Sequence, residues 1–261
     1  VRCSYDYMSR RYQKAVDTWD GSAWIATSTN RFLYDGWNLV SEISNPTTGD
    51  STTSFYTWGL DLSGTLQGAG GIGGLISMTR QASIGTNTFF YTFDANGNVS
   101  ELLDAADGTI AAHYEPDPFG SLMACSESSY IDSTGGNAFR FSTKYWDGQT
   151  GLGYWGYRWY DGDRWLNRDP VYDPAFGVVS ENADIANRID IHTEVDINEY
   201  GFISQNPVTF SDLHGLGQIG APIPCGNCLI CIDRDTSGGS GGSYHIHWNC
   251  GRSRPRSCRG N

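Results

Sequence analysis

The chain has 261 residues, of which 39% are hydrophobic, with 33 Gly, 15 Tyr and 9 Trp and a formal net charge of −12. That length allows one large all-β domain or two domains with a buried core, and the abundance of Gly and aromatic residues argues for strands and turns rather than helical bundles. No apolar run reaches the roughly 18 residues a membrane-spanning helix needs, and the acidic balance makes most of the chain a poor nucleic-acid binder.

From Val1 to about Cys125 the pattern predicts short strands joined by Gly-rich turns. A Tyr/Phe-Asp pair recurs at Tyr5-Asp6, Tyr34-Asp35, Phe93-Asp94 and Tyr160-Asp161. Asp20-Gly21, Asp35-Gly36, Asn96-Gly97 and Asp107-Gly108 are two-residue turn signals. The clearest unit, Phe89 to Leu103, reads as a strand, a tight turn and a return strand. A lone hairpin cannot bury its own face, so such units imply an array in which neighbours cover one another. The Tyr-Asp pairs are expected to be scaffold, with Tyr packing and Asp shaping the turn. Gly68-x-Gly70-x-x-Gly73 nominally matches a dinucleotide fingerprint, but Leu75 to Arg80 reads as a strand where that motif needs a helix. Cys125 is expected to be a small buried residue.

Next comes an aromatic segment, Asn137 to Asp161, predicted as two strands around a turn at Asp147-Gly148 and a third ending at Asp161-Gly162. It is followed by Arg164-Trp165-Leu166-Asn167-Arg168-Asp169-Pro170. Glu181 to Asp190 has helical spacing. Tyr200-Gly201-Phe202, Asn206-Pro207-Val208 and Asp212-Leu213-His214-Gly215-Leu216 then close the segment.

Charge and cysteine content change at this point. Residues 1–216 hold 12 Lys+Arg against 27 Asp+Glu, whereas residues 217–261 hold five Arg against two Asp and five of the seven cysteines. Gly217 to Pro224 is a linker by composition. Cys225, Cys228, Cys231, His245, His247 and Cys250 have the spacing of zinc ligands, and disulfide pairing or free thiols are the competing readings. Arg252, Arg254, Arg256 and Arg259 make the tail the one place where nucleic-acid binding could be sought.

The order Phe139-Arg140-Phe141-Ser142, Tyr157-Arg158-Trp159-Tyr160-Asp161, Arg168-Asp169-Pro170, Tyr200-Gly201-Phe202, Asn206-Pro207-Val208 and Asp212-x-x-Gly215-Leu216 resembles the RHS repeat-associated core domain. That family comprises the Rhs and YD-repeat proteins and the related C components of insecticidal Tc toxins. The resemblance implies an all-β fold, a YD-repeat antiparallel β-sheet spiral forming part of a cocoon, with a core plug and a short irregular tail. It divides the chain into a repeat array at 1–124, a core domain at 125–216 and a variable Cys-rich tail at 217–261. It further implies a bacterial protein, secreted or at the cell surface, preceded by further repeats and a targeting signal. Its own C-terminal segment would be the cargo, often a toxin in this family.

The resemblance also implies a self-cleavage like that of an aspartic protease. Asp169 and Asp212 would be its acid and base, Arg168 would steady the ionised partner, and the cut would fall between Leu216 and Gly217. Leu213 stands where the family has Pro, and the 43-residue interval from Asp169 to Asp212 is longer than the family leads one to expect. The competing readings are that the two aspartates only cap turns, and that the chain is a non-cleaving surface or adhesion scaffold. The resemblance implies no cofactor for the core.

Overall fold

The computed structural model describes residues 1–170, 200–202, 207, 210–212, 214–215, 218–220, 223–225, 228–234 and 244–250. Ten strands follow one another across a single antiparallel sheet in chain order: β1 (Arg2–Tyr5), β2 (Arg11–Trp19), β3 (Trp24–Asp35), β4 (Asn38–Pro46), β5 (Thr52–Trp58), β6 (Leu75–Ala82), β7 (Gly85–Phe93), β8 (Val99–Asp104), β9 (Ile110–Pro116) and β10 (Leu122–Glu127). Side chains alternate faces along a strand, so in β7 Phe89 and Tyr91 are buried while Phe90 between them is exposed. Among the described residues the named helical elements are α1 (Ser129–Ser133) and a 3-10 turn at Phe141–Thr143. Among the described residues no helix is long and apolar enough to cross a membrane.

The segment after the sheet folds onto its inner face. It contains the three-stranded sheet β11 (Tyr145–Asp147), β12 (Leu152–Tyr154) and β13 (Trp159–Tyr160). Phe139, Tyr145 and Tyr154 share one core with Phe32, Leu75, Met78, Phe89 and Leu102 of the large sheet. Each fully buried side chain of this size stabilises by roughly 1.5–3 kcal/mol. A second cluster of Phe141, Trp155, Tyr160, Trp165 and Phe202 is aromatic throughout. The expected boundary at 124/125 falls inside β10, and the cores of the two parts are continuous.

One device closes several of the chain reversals. In Asp94-Ala95-Asn96-Gly97-Asn98 the aspartate N–H donates to the Asn98 carbonyl, Gly97 N donates to the Asp94 carbonyl, and the Asp94 carboxylate accepts from Asn96 N and Asn98 N. Asp6 with Ser9 and Arg10, Asp61 with Gly64 and Thr65, and Asp117 with Gly120 and Ser121 follow the same plan. The fourth residue needs a positive φ, which is +76° at Gly97. These loops are longer than the two-residue turns expected at Asp20, Asn96 and Asp107, because the carboxylate takes over backbone N–H groups that a tighter turn would pair internally. Gly36 and Trp37, between the paired Asp35 and Asn38, do form the two-residue connection.

The plug is pinned to the array by buried polar groups. Asp147 accepts from Arg11 Nη1 at 2.6 Å and from Lys14 Nζ at 3.0 Å, with all three side chains almost fully buried. The Arg11 guanidinium lies 4.4 Å from the Phe32 ring centroid, 4.8 Å from Tyr145 and 5.0 Å from Tyr154. Glu42 accepts from Tyr145 Oη and from Asn30 Nδ2, both at 2.8 Å.

One expectation is corrected. Cys125 is exposed, because β10 is an edge strand and most of its side chains are exposed. The described residues of the tail are strands. β14 (Phe210–Asp212) pairs with β15 (Gln218–Gly220), inside the stretch expected as a linker. β16 (Ile223–Cys225), β17 (Cys228–Arg234) and β18 (Tyr244–Cys250) form a further antiparallel sheet. The helix expected at Glu181 to Asp190 lies outside the described residues.

The buried Asp147 cluster yields a stability prediction. Asp147→Ala strands two buried cations and should cost about 3–5 kcal/mol in urea unfolding. Arg2→Ala removes only the exposed half of a surface pair with Asp17, and should cost less than about 0.5 kcal/mol. Equal losses would show that Asp147 is not the pin.

Candidate functional site

The candidate site is assembled by the loop that joins β12 to β13. Gly156 turns there with φ +92°, and a side chain on it would strike the Trp37 ring 2.9 Å away. The Trp155 N–H donates to the Arg158 carbonyl at 3.0 Å, closing the loop and sending the Arg158 side chain inward. Its guanidinium stacks 4.1 Å from the centroid of Trp165.

Arg158 Nη2 donates to Asp169 Oδ2 at 3.1 Å and to Asp212 Oδ2 at 2.7 Å, and all three side chains are at least nine-tenths buried. Two carboxylates 43 residues apart in sequence thus share one guanidinium nitrogen. Arg168, the cation nominated from the sequence, is exposed, and Arg158 bridges the two carboxylates.

Asp212, like Asp94, accepts a backbone amide of its own turn on one carboxylate oxygen. Its Oδ1 accepts from Gly215 N at 2.7 Å, and Gly215 has φ +72°. Here, however, the other oxygen faces a buried cation. The segment is clamped along its length: Trp155 Nε1 donates to the Asp212 carbonyl at 3.1 Å and Tyr157 N to the His214 carbonyl at 3.2 Å. A Cβ on Gly215 would come within 3.0 Å of Arg158 Cβ, so only glycine permits this approach. In the β14–β15 hairpin Asp212 pairs with Gln218, which puts the expected Leu216–Gly217 cut in the connection between them. Leu216 and Gly217 themselves lie outside the described residues.

A second cation lies nearby. Lys144 follows Ser142 and Thr143, both with φ +51°, an uncommon conformation for non-glycine residues. Thr143 Oγ1 donates to the Gly97 carbonyl at 2.7 Å and Ser142 N to Asn98 Oδ1 at 2.8 Å, which holds the kink. Lys144 Nζ donates to the Gly70 carbonyl at 2.8 Å. Burial pushes its amine down to about 8, opposed by the charges of Asp212 and Asp61. A cavity of about 50 Å³, bounded by Trp37, Asn38, Gly70, Lys144, Trp155 and His214, adjoins this group. It is large enough for water and has polar partners for it.

The glycine-rich stretch expected to be a loop is one. The Asp61 carboxylate gathers the N–H groups of Ser63, Ala69 and Gly71, and β6 follows directly. Among the described side chains no group of three or more metal-ligating residues occurs. The side chains of the six candidate tail ligands lie outside that description.

No family model and no curated protein sequence matches this chain. Solved structures do. The TcdB2-TccC3 crystal structure aligns with 82% of this chain at a TM-score of 0.57 and 22% identity. The same complex without its hypervariable C-terminal region aligns over 82% at 0.56 and 22%, and the Photorhabdus luminescens Tc holotoxin pore over 82% at 0.57 and 21%. The fold is that of Tc toxin chains. The present chain spans 9% of the length of each of these neighbours.

Lys144 gives a pH prediction. Its folded pKa lies below the ordinary lysine value of 10.5, so below pH 8 both folded and unfolded chains carry the charge and the full cost of burying it is present. Between pH 8 and 10.5 the folded chain gives up its proton first and that cost shrinks. The unaltered chain should therefore gain stability relative to Lys144→Met as pH rises from 7 to 10. Urea unfolding of both proteins at the two pH values measures it, and a constant difference would overturn it.

Proposed function

We propose that this chain is part of a toxin-associated β-shell scaffold whose core hydrolyses its own Leu216–Gly217 bond and releases residues 217–261. The observation that carries the reading is the convergence of Asp169 and Asp212 on the buried Arg158. The likeness to TcdB2-TccC3 supports the toxin context, one of those structures being described as lacking a hypervariable C-terminal region. A bacterial secreted or cell-surface location, further repeats upstream and the tail as cargo belong to the same proposal.

In this reading one carboxylate takes a proton from water as the oxygen adds to the Leu216 carbonyl carbon. The other gives a proton to the departing Gly217 nitrogen as the C–N bond breaks. Arg158, bonded to both carboxylates, fixes their orientation. Lys144 adds positive charge near Asp212. The clamp from Trp155 and Tyr157 holds the residues just before the cut, which reduces the disorder that Leu213 in place of Pro would otherwise introduce.

The unaltered chain should yield two fragments by intact mass, ending at Leu216 and beginning at Gly217. Asp169→Asn and Asp212→Asn should each slow the cut by about 10²–10⁴-fold and leave a chain near 28.7 kDa. The double variant should be no slower than the slower single one, since the pair acts as a unit. Loss of cleavage in His214→Ala with retention in both Asn variants would move the chemistry away from the carboxylates. An unaltered chain that stays whole would favour the non-cleaving scaffold.

A further inference from the structure

The β17–β18 ladder sorts the tail's chemistry-bearing residues in a way their spacing along the chain does not reveal. Cys228 pairs with Cys250, Ile230 with Trp248 and Ile232 with Ile246, and on the other side of β17 Cys225 pairs with Cys228 and Ile223 with Ile230. Residues paired across a ladder share a face, as do residues two apart on one strand. One face of the hairpin therefore gathers Cys225, Cys228 and Cys250 with isoleucines, Trp248, Tyr244 and Arg234. The alternate positions pair Cys231 with His247 and Asp233 with His245. The six residues with zinc-like spacing thus divide three and three between opposite faces, and Asp233 joins Cys231, His245 and His247.

We propose that Cys231, Asp233, His245 and His247 form a binding site for one zinc-class divalent cation. They occupy the four corners of a patch about 5 Å across the ladder and about 7 Å along it, which one ion can span with side chains of this length. A thiolate, a carboxylate and two imidazoles supply a mixed S, O and N set suited to four-coordinate zinc. At pH 7 the carboxylate is already charged, the imidazoles are mostly neutral, and the thiol gives up its proton on binding. Two anionic ligands then balance the charge of the ion. The ordinary alternative is an exposed polar face with no ligand. Against it stands the placement of these four residues at adjoining register positions on one face.

The test uses the whole chain under reducing conditions with Co²⁺ as spectroscopic probe, followed by displacement with Zn²⁺. Cleavage after Leu216 would not change the stoichiometry, because all four residues lie beyond it, so this result is independent of the proposed cut. One Co²⁺ per chain should bind with a thiolate-to-metal charge-transfer band. Cys231→Ser should abolish that band. His245→Ala and His247→Ala should each weaken binding by more than the roughly 10–100-fold cost of losing an outer-shell partner. Cys225→Ser, Cys228→Ser and Cys250→Ser should leave both band and affinity unchanged, which also separates loss of ligand from loss of fold. A band that survives Cys231→Ser and disappears with Cys228→Ser or Cys250→Ser would overturn the assignment in favour of the opposite face. Absence of any Co²⁺ or Zn²⁺ binding would overturn it outright.

Discussion

An aspartate carboxylate accepting the backbone N–H groups of its own turn is the interaction on which the rest of this structure depends. A meander of ten strands must reverse direction nine times, and each reversal leaves amide groups that no ladder can satisfy. At Asp6, Asp61, Asp94 and Asp117 one carboxylate oxygen meets those groups, and a residue of positive φ returns the chain to the next strand. What distinguishes the turns is the other oxygen. At Asp94 it takes the side chain of Asn98, at Asp6 that of Arg10, and at Asp61 two amides of the glycine-rich loop. At Asp212 it takes a fully enclosed guanidinium that a second carboxylate already shares. The candidate site is a scaffold turn whose spare oxygen has been given a different partner.

Asp147 shows that burial and a cation are not enough to make a site. It too closes a turn with one oxygen, accepting from Gln149 and Thr150, and offers the other to Arg11 and Lys14. Its carboxyl is held below the usual range because those two cations outweigh the cost of burial. One acid held between two cations suits a pin between array and plug. Around Asp212 two acids share one guanidinium, with Lys144 and a cavity adjoining.

The fold was largely legible in the sequence because its signals are local. Alternation in Phe89 to Phe93, Asp and Gly at the reversals and a strand after the glycine-rich loop all act within a few residues. The site was legible only in part. Asp169 and Asp212 stood out by motif order, but nothing in the spacing separates Arg158 from Arg164 or Arg168. What selects Arg158 is the close approach of two backbones, made possible by Gly156 and Gly215. Lys144 was silent for the same reason: a kink at Ser142 and Thr143, held by residues more than 40 positions earlier, turns it towards Gly70. Cys125 misled because a small thiol is usually interior, and an edge strand overrides that preference.

The hairpin around the expected cut has a consequence for how a tail could leave. β14 and β15 are joined through the Leu216–Gly217 bond and also by a ladder running from Phe210–Gly220 to Asp212–Gln218. Hydrolysis at the connection would sever the covalent link and leave that ladder intact, so cutting and release are separate events. On the proposed reading a cut tail would stay paired through that ladder. Its departure requires the hairpin to open, a step governed by three residue pairs and not by the chemistry.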